Sequence, residues 1–182
     1  MRKMVLTMAV AALAALGATT ASASAAPTTT CENSGTVKLS PGLSTSPTTQ
    51  NITVKGTLSN CAGEESTVTS GNYVAHLKTT EPVTCGSLAS AGAPTEGTVV
   101  VKWGKGVGNS HGSFSEPLTE LPTTISGLIA SGPFEGETIS GSVTQSFEGG
   151  ATCGVPTEVE GKKPKKAKKV KKGTVAGSLT IS

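Results

Sequence analysis

Aspartate is absent from this chain of 182 residues, and histidine occurs only twice, at His76 and His111. Most calcium sites need Asp oxygens, and a Ser-His-acid triad would have to use Glu as its acid. Residues 108–112 have Gly-x-Ser-x-Gly spacing, but a nucleophile elbow needs a strand before it and a helix after it. Here the match lies in a Gly-rich turn between two predicted strands. We therefore predict no catalytic residue, no metal ligand and no cofactor, with His76 on the surface.

Aromatic residues are also scarce, with one Trp, one Tyr and three Phe. Proteins that bind single-stranded nucleic acid stack bases on aromatic side chains, so specific nucleic-acid recognition is not expected.

Helix-forming residues at a 3.6-residue period are missing beyond the N-terminal segment, so no long helix is expected there. No apolar run reaches the roughly 20 residues that span a bilayer, which predicts no transmembrane segment in the mature chain.

The N-terminal segment has the layout of a secretory signal peptide. Arg2 and Lys3 precede an apolar run from Met4 to Leu16, and small residues lead to a cleavage site near Ala25. We predict a signal peptide over 1–25 and one secreted, extracellular domain over 26–182. That domain holds only 33 large apolar residues, so its core must be lean.

All four cysteines lie after the signal, at Cys31, Cys61, Cys85 and Cys153. An even count in an exported chain predicts two disulfides. The spacings lack the close pairs of a zinc site. Three connectivities are possible, and we favour Cys61–Cys85 with Cys31–Cys153.

Alternation of apolar and polar residues predicts half-buried strands. The clearest segments are 51–58, 98–103, 138–147 and 174–182; weaker ones are 36–40, 72–78, 112–118 and 124–130. One helical turn is predicted near 86–91. The expected interior residues are Ile52, Val54, Leu58, Val99, Val101, Trp103, Ile139, Val143, Phe147, Val175, Leu179 and Ile181. About eight strands without crossover helices predict an all-β antiparallel fold. We favour a β-sandwich because amphipathic strands need a second apolar layer, with a closed β-barrel as the alternative.

Glycines recur between apolar residues on the inward face of these strands, as at Gly56, Gly141, Gly177 and Gly127. The pattern indicates room for a neighbour's bulky side chain or a local bend.

Charge is distributed unevenly along the chain. Eight lysines occupy residues 162–172, while five lysines and twelve glutamates lie outside this run and the signal, giving that remainder a net charge of −7. The run contains Lys162, Lys163, Lys165, Lys166, Lys168, Lys169, Lys171 and Lys172. We predict a loop before the last strand. Such a block binds polyanions without sequence specificity, which suggests association with anionic cell-envelope polymers. A merely solvated loop is the alternative.

The chain resembles small uncharacterised secreted proteins of high-GC Gram-positive (actinobacterial) bacteria. The similarity lies in residues 35–42, 54–61, 97–103 and 149–156, and in the Lys-rich segment before Gly173. It implies no activity and transfers no site residue. We expect a monomeric, non-enzymatic extracellular β protein. The alternatives are an exported hydrolase inhibitor and a secreted hydrolase that pairs a histidine with Ser and Glu.

Overall fold

The computed structural model describes residues 28–63, 67–90, 92–150 and 169–182. The signal segment predicted over 1–25 lies outside these residues. Eight β-strands and one short 3-10 helix make up the described secondary structure. The strands are β1 (Thr29–Leu43), β2 (Asn51–Ala62), β3 (Gly71–Thr79), β4 (Thr95–Trp103), β5 (Gly108–Ser115), β6 (Thr123–Ser131), β7 (Thr138–Phe147) and β8 (Val170–Ile181). No described helix is long and apolar enough to cross a membrane.

The strands form a closed barrel in which each strand pairs antiparallel with its neighbour in sequence. Pairing of β1 with β8 closes the ring. The all-β antiparallel prediction is confirmed, and the barrel replaces the sandwich that we favoured. The opposite wall of a ring supplies the second apolar layer that we had assigned to a separate sheet. Eight strands enclose an interior just wide enough for side chains to fill, so a lean core suffices.

The barrel interior contains the predicted core. All twelve residues that we expected inside are buried, each at most 6 % exposed. Period-two alternation was a sufficient guide because successive strand side chains point to opposite faces of the sheet. The Trp103 ring in this core packs edge to face with the Phe134 ring, and the two ring centroids are 5.2 Å apart.

The element predictions are confirmed with shifted boundaries. The segment predicted over 112–118 is β5, which begins earlier at Gly108 and ends at Ser115. The predicted helical turn is the 3-10 helix Cys85–Ala89, whose Leu88 is fully buried. The largest correction concerns the Lys-rich loop over 162–172, because β8 already begins at Val170. Lys171 and Lys172 therefore belong to the barrel wall.

Our favoured disulfide connectivity is wrong. Cys31 of β1 is bonded to Cys61 of β2, with their Cα atoms 4.0 Å apart. The two strands are antiparallel neighbours, and a register shift between Thr30 and Glu32 brings the cysteines opposite each other. Cys85 is also disulfide-bonded, and Cys153 lies outside the described residues.

The glycines that we expected on the inward face have two different roles, and Gly177 among them is exposed. A Cβ on Gly56 would lie 2.4 Å from Cε1 of Tyr73, so this glycine gives the tyrosine ring its space, as predicted. At Gly141 and Gly177 the nearest atom is instead a backbone carbonyl oxygen of the neighbouring strand, that of Ser178 and Ser142 respectively. There the glycine permits close approach of two backbones.

Candidate polyanion-binding face

Closure of the barrel brings together lysines that are far apart in the sequence. Lys38 of β1 and Lys172 of β8 are directly paired across the two strands, and both are exposed. Two residues along β1, Thr36 is paired with Lys55 of β2 on one side and Thr174 of β8 on the other. Residues two apart on a strand share a face. Lys38, Lys55 and Lys172 therefore surround the Thr36–Thr174 pair on the outer wall, and we call these five residues the basic face.

The distances within the basic face follow from strand geometry. Directly opposed residues have Cβ atoms about 4.5–5.5 Å apart, and diagonal neighbours are about 7–8 Å apart. Lys38 and Lys172 are an opposed pair. Lys55 is diagonal to Lys38, because Lys38 is paired with Thr53 and Lys55 lies two residues further along β2. Three flexible ammonium groups can thus reach one short stretch of a polyanion.

A glycine positions the start of β8 beside this face. Gly42 of β1 has a φ of 95°, and a Cβ there would lie 2.7 Å from Cγ of Lys171. The stem of Lys171 therefore lies over Gly42. Gly42 also donates its N–H to Oε1 of Gln50 at 2.9 Å, which holds the end of β1 against the buried Gln50 side chain.

An open groove adjoins the basic face where β7 ends and β8 begins. It is lined by Glu148, Gly149, Lys169, Lys171 and Lys172. The N–H of Glu148 donates to the carbonyl oxygen of Lys172 at 3.0 Å, which fixes the two chain segments against each other. Among the described residues that line the groove, three lysines outnumber one carboxylate, so this lining carries a net positive charge.

The structure confirms neither the extent nor the boundaries of the predicted lysine site. Lys162, Lys163, Lys165, Lys166 and Lys168 lie outside the described residues. Lys169 immediately precedes β8, and Lys171 and Lys172 lie at its start.

Sequence reasoning missed Lys38 and Lys55. Alternation places both on the polar faces of their strands, but only the pairing of the first strand with the last brings Lys38 beside Lys172.

Two other strand lysines have different surroundings. Lys78 of β3 is directly paired with Glu96 of β4, an opposite charge. Lys102 of β4 is flanked by two asparagines, Asn72 and Asn109. Neither has a lysine as a direct cross-strand neighbour, so both serve as controls for the basic face.

The Gly-x-Ser-x-Gly match lies in β5 and not in a turn, since the strand begins at Gly108. Ser110 points into the barrel and is 1 % exposed. Its Oγ accepts a hydrogen bond from Nε1 of Trp103 at 2.8 Å and donates to the carbonyl oxygen of Pro133. The serine thus links the Trp103 indole to the β6–β7 turn. His111 follows on the exposed outer surface, and His76 is exposed as predicted.

A buried carboxyl group is the interior feature that sequence reasoning missed. Glu116 is 4 % exposed and accepts a hydrogen bond from Nε2 of Gln145 at 2.8 Å. Burial raises the pKa of Glu116 to about 7, partly offset by the hydrogen bond from Gln145. The alternating pattern could have indicated this burial, because Glu116 lies two residues from Phe114 and from Leu118. All three side chains are buried.

Tyr73 carries a second perturbed group inside the barrel. Its hydroxyl donates to Oδ1 of Asn33 at 2.9 Å. Burial, and secondarily the charge of Glu116, raises the pKa of the Tyr73 phenol well above its usual range. Two polar pairs, Glu116–Gln145 and Tyr73–Asn33, therefore lie inside the barrel among buried apolar side chains.

The barrel interior leaves little space for a ligand. An apolar cavity of about 20 Å³ lies beside Tyr73, Trp103 and Phe114, and one of about 10 Å³ lies beside Glu116 and Gln145. Sites for organic ligands are typically 300–1,000 Å³. Among the described residues, the outer wall is therefore the better candidate for binding a large partner.

The chain matches no protein-family model, no curated protein and no solved structure. The resemblance to secreted actinobacterial proteins thus stays a prediction, and the functional argument depends on this chain's own residues.

Proposed function

We propose that this protein is a secreted, non-enzymatic β-barrel that associates with anionic cell-envelope polymers through its basic face. The observation that carries the proposal is the grouping of Lys38, Lys55 and Lys172 around one threonine pair. The lysine run in the sequence is continuous with this wall, since its last two lysines lie in β8. The signal-like N-terminus and the Cys31–Cys61 disulfide support an extracellular setting.

The energetics of the wall also favour an anionic ligand. Like charges directly opposite each other on paired strands are destabilising, and Lys38 faces Lys172. A phosphate or carboxylate bound between them would relieve this repulsion. Because lysine is a mobile point charge without bidentate geometry, selectivity among anions should be low. Binding should weaken as salt rises, since binding releases the polymer's counterions.

The test is sedimentation of the mature protein with purified cell walls at low and high salt. The key variant is the triple substitution Lys38→Gln, Lys55→Gln, Lys172→Gln. Its matched control is Lys78→Gln, Lys102→Gln, Lys105→Gln. This control also removes three positive charges, but all of them lie outside the basic face. Gln keeps a polar side chain of similar length, and all six positions except Lys105 lie on exposed strand faces.

We expect the key variant to lose most of its low-salt retention and the control variant to keep most of it. Retention of the natural protein should fall sharply at high salt. Equal loss in both variants would mean that net charge alone acts, and no loss in either would reject the basic face as the binding site.

A further inference from the structure

The wall beside the three lysines is covered with hydroxyl groups. Thr36 and Thr174 are cross-strand partners, and Thr174 is paired on its other side with Ser146 of β7. The next outward row, two residues further along the strands, contains Ser34 and Thr144 on either side of Ala176. All of these side chains are exposed. Neighbouring strands are about 4.8 Å apart, so the hydroxyls form regular rows next to the lysines.

We infer that the polymer bound by the basic face is an acidic polysaccharide, a polyanion that also carries hydroxyl groups. This inference rests on the proposed function and names its ligand class. Lysine ammonium groups only donate hydrogen bonds, whereas a Ser or Thr hydroxyl both donates and accepts. A ligand that carries both anions and hydroxyls is complementary to both parts of this wall: its anions pair with Lys38, Lys55 and Lys172, and its hydroxyls pair with Thr36, Thr174 and Ser146.

Two other polyanionic partners fit this wall less well. Single-stranded nucleic acids bind through aromatic stacking, but four of the five aromatic side chains of the chain are buried and Phe134 packs against the core. Basic residues alone attract anionic membranes, but stable anchoring also needs apolar side chains or a lipid chain that inserts. Among the described residues, the exposed large apolar side chains are those of Val100, Leu121 and Leu128. All three lie outside β8, β1 and β2, so the basic face itself offers none for insertion.

The experiment measures the affinity of the mature protein for two polycarboxylates, a polyuronate that bears hydroxyls and a polyacrylate that bears none. The variant is Thr36→Val with Thr174→Val, which removes two hydroxyls from the basic face and keeps β-branched side chains. The matched control is Thr98→Val with Thr124→Val, at exposed positions on β4 and β6. Circular dichroism of each variant checks that the barrel is folded.

We expect the Thr36/Thr174 variant to bind polyuronate about threefold to tenfold more weakly, as expected for the loss of one or two hydrogen bonds. Its affinity for polyacrylate should be unchanged, and the control variant should bind both polymers like the natural protein. The affinity of each variant is divided by that of the natural protein for the same polymer. The different charge densities of the two polymers therefore do not affect the comparison. An equal change for both polymers, or none for either, would overturn the inference.

Failure of this inference is distinguishable from failure of the proposed function. If the natural protein binds both polymers in a salt-dependent way that needs Lys38, Lys55 and Lys172, but the threonines have no effect, the proposed function stands and the ligand class is wrong. Tighter binding to anionic phospholipid vesicles or to single-stranded DNA than to polyuronate would also overturn the ligand class. Absence of binding to every polyanion would reject both.

Discussion

Lys38 and Lys172, separated by most of the chain, face each other directly on the first and last strands of the barrel. Both side chains are exposed on the outer wall. Their juxtaposition is a consequence of ring closure, because β1 and β8 would have no reason to pair in an open meander. It connects the fold to the proposed function, since the same pairing that completes the barrel concentrates its positive charge.

The facing lysines should cost folding stability. We expect Lys38→Thr to raise the free energy of unfolding by about 0.2–1 kcal/mol at low salt, because it removes the like-charge pair with Lys172 while the other direct neighbour of Lys38 is the uncharged Thr53. The gain should shrink in high salt, where exposed charges are screened. Urea denaturation at two salt concentrations measures the effect.

The control for this prediction is Lys102→Thr, since Lys102 lies between Asn72 and Asn109. It makes the same change in strand propensity without removing a like-charge neighbour. A gain of equal size and equal salt dependence in both variants would contradict the repulsion.

Removal of the Cys31–Cys61 disulfide should destabilise the barrel strongly. The bond joins residues 30 apart in the sequence, and the chain-entropy model gives about 3–4 kcal/mol for a loop of this size. We expect that loss in the double variant Cys31→Ser, Cys61→Ser, measured by denaturation under non-reducing conditions. A loss below about 1 kcal/mol would contradict the expected constraint.

Peptide mapping without reductant checks the connectivity itself. It should recover the peptide that contains Cys31 linked to the one that contains Cys61. A Cys61–Cys85 link would instead support the pairing that we favoured from sequence.

The buried Glu116 should make stability depend on pH. Its folded-state pKa of about 7 exceeds the ordinary value of 4.5, so the native barrel binds the proton more tightly than the unfolded chain does. This contribution to stability is fully present below pH 4.5 and is lost as pH rises through about 7. The shift corresponds to about 3 kcal/mol.

The substitution Glu116→Gln isolates this group from the other titrating side chains. Tyr73 does not titrate over this range, because burial and the charge of Glu116 raise the pKa of its phenol well above the usual value. We expect the variant to match the natural protein near pH 4 and to be more stable by about 3 kcal/mol at pH 8. A difference between the two proteins that is constant from pH 4 to 8 would show that Glu116 titrates normally.

The Tyr73 ring should need the space that the missing side chain of Gly56 leaves free. A Cβ there would lie 2.4–2.6 Å from three atoms of the Tyr73 side chain, so Gly56→Ala should cost about 1–3 kcal/mol through overpacking. A double-mutant cycle with Tyr73→Leu tests the cause, because a smaller neighbour should recover part of the loss. Strictly additive effects would mean that the glycine is needed for another reason.

The sequence predicted the parts of the fold that depend on local pattern. Alternation identified the interior residues, because each strand has a fixed two-residue period whatever its partners are. It also carried a signal for Glu116 and Gln145, which share the buried phase of Phe114 and Phe147. We overlooked that signal because polar residues are not expected inside.

The parts that depend on pairing between distant strands could not be predicted. The Cys31–Cys61 bond follows from the register of β1 against β2, including its shift near Thr30. Barrel closure follows from the pairing of β1 with β8, and so does the meeting of Lys38 with Lys172. Neither spacing nor composition specifies which strands are neighbours. The predicted sandwich was therefore corrected to a barrel, and Lys171 and Lys172 were moved from the predicted loop to β8.

Lysine footprinting tests the central claim most directly. The mature protein would be acetylated briefly with and without cell-wall polymer at low salt, and the labelled lysines would be quantified by mass spectrometry. We predict that polymer protects Lys38, Lys55 and Lys172, leaves Lys78 and Lys102 as reactive as before, and loses its protective effect at high salt. Unchanged reactivity at Lys38, Lys55 and Lys172 under conditions where the polymer is bound would contradict the assignment of binding to this face of the barrel.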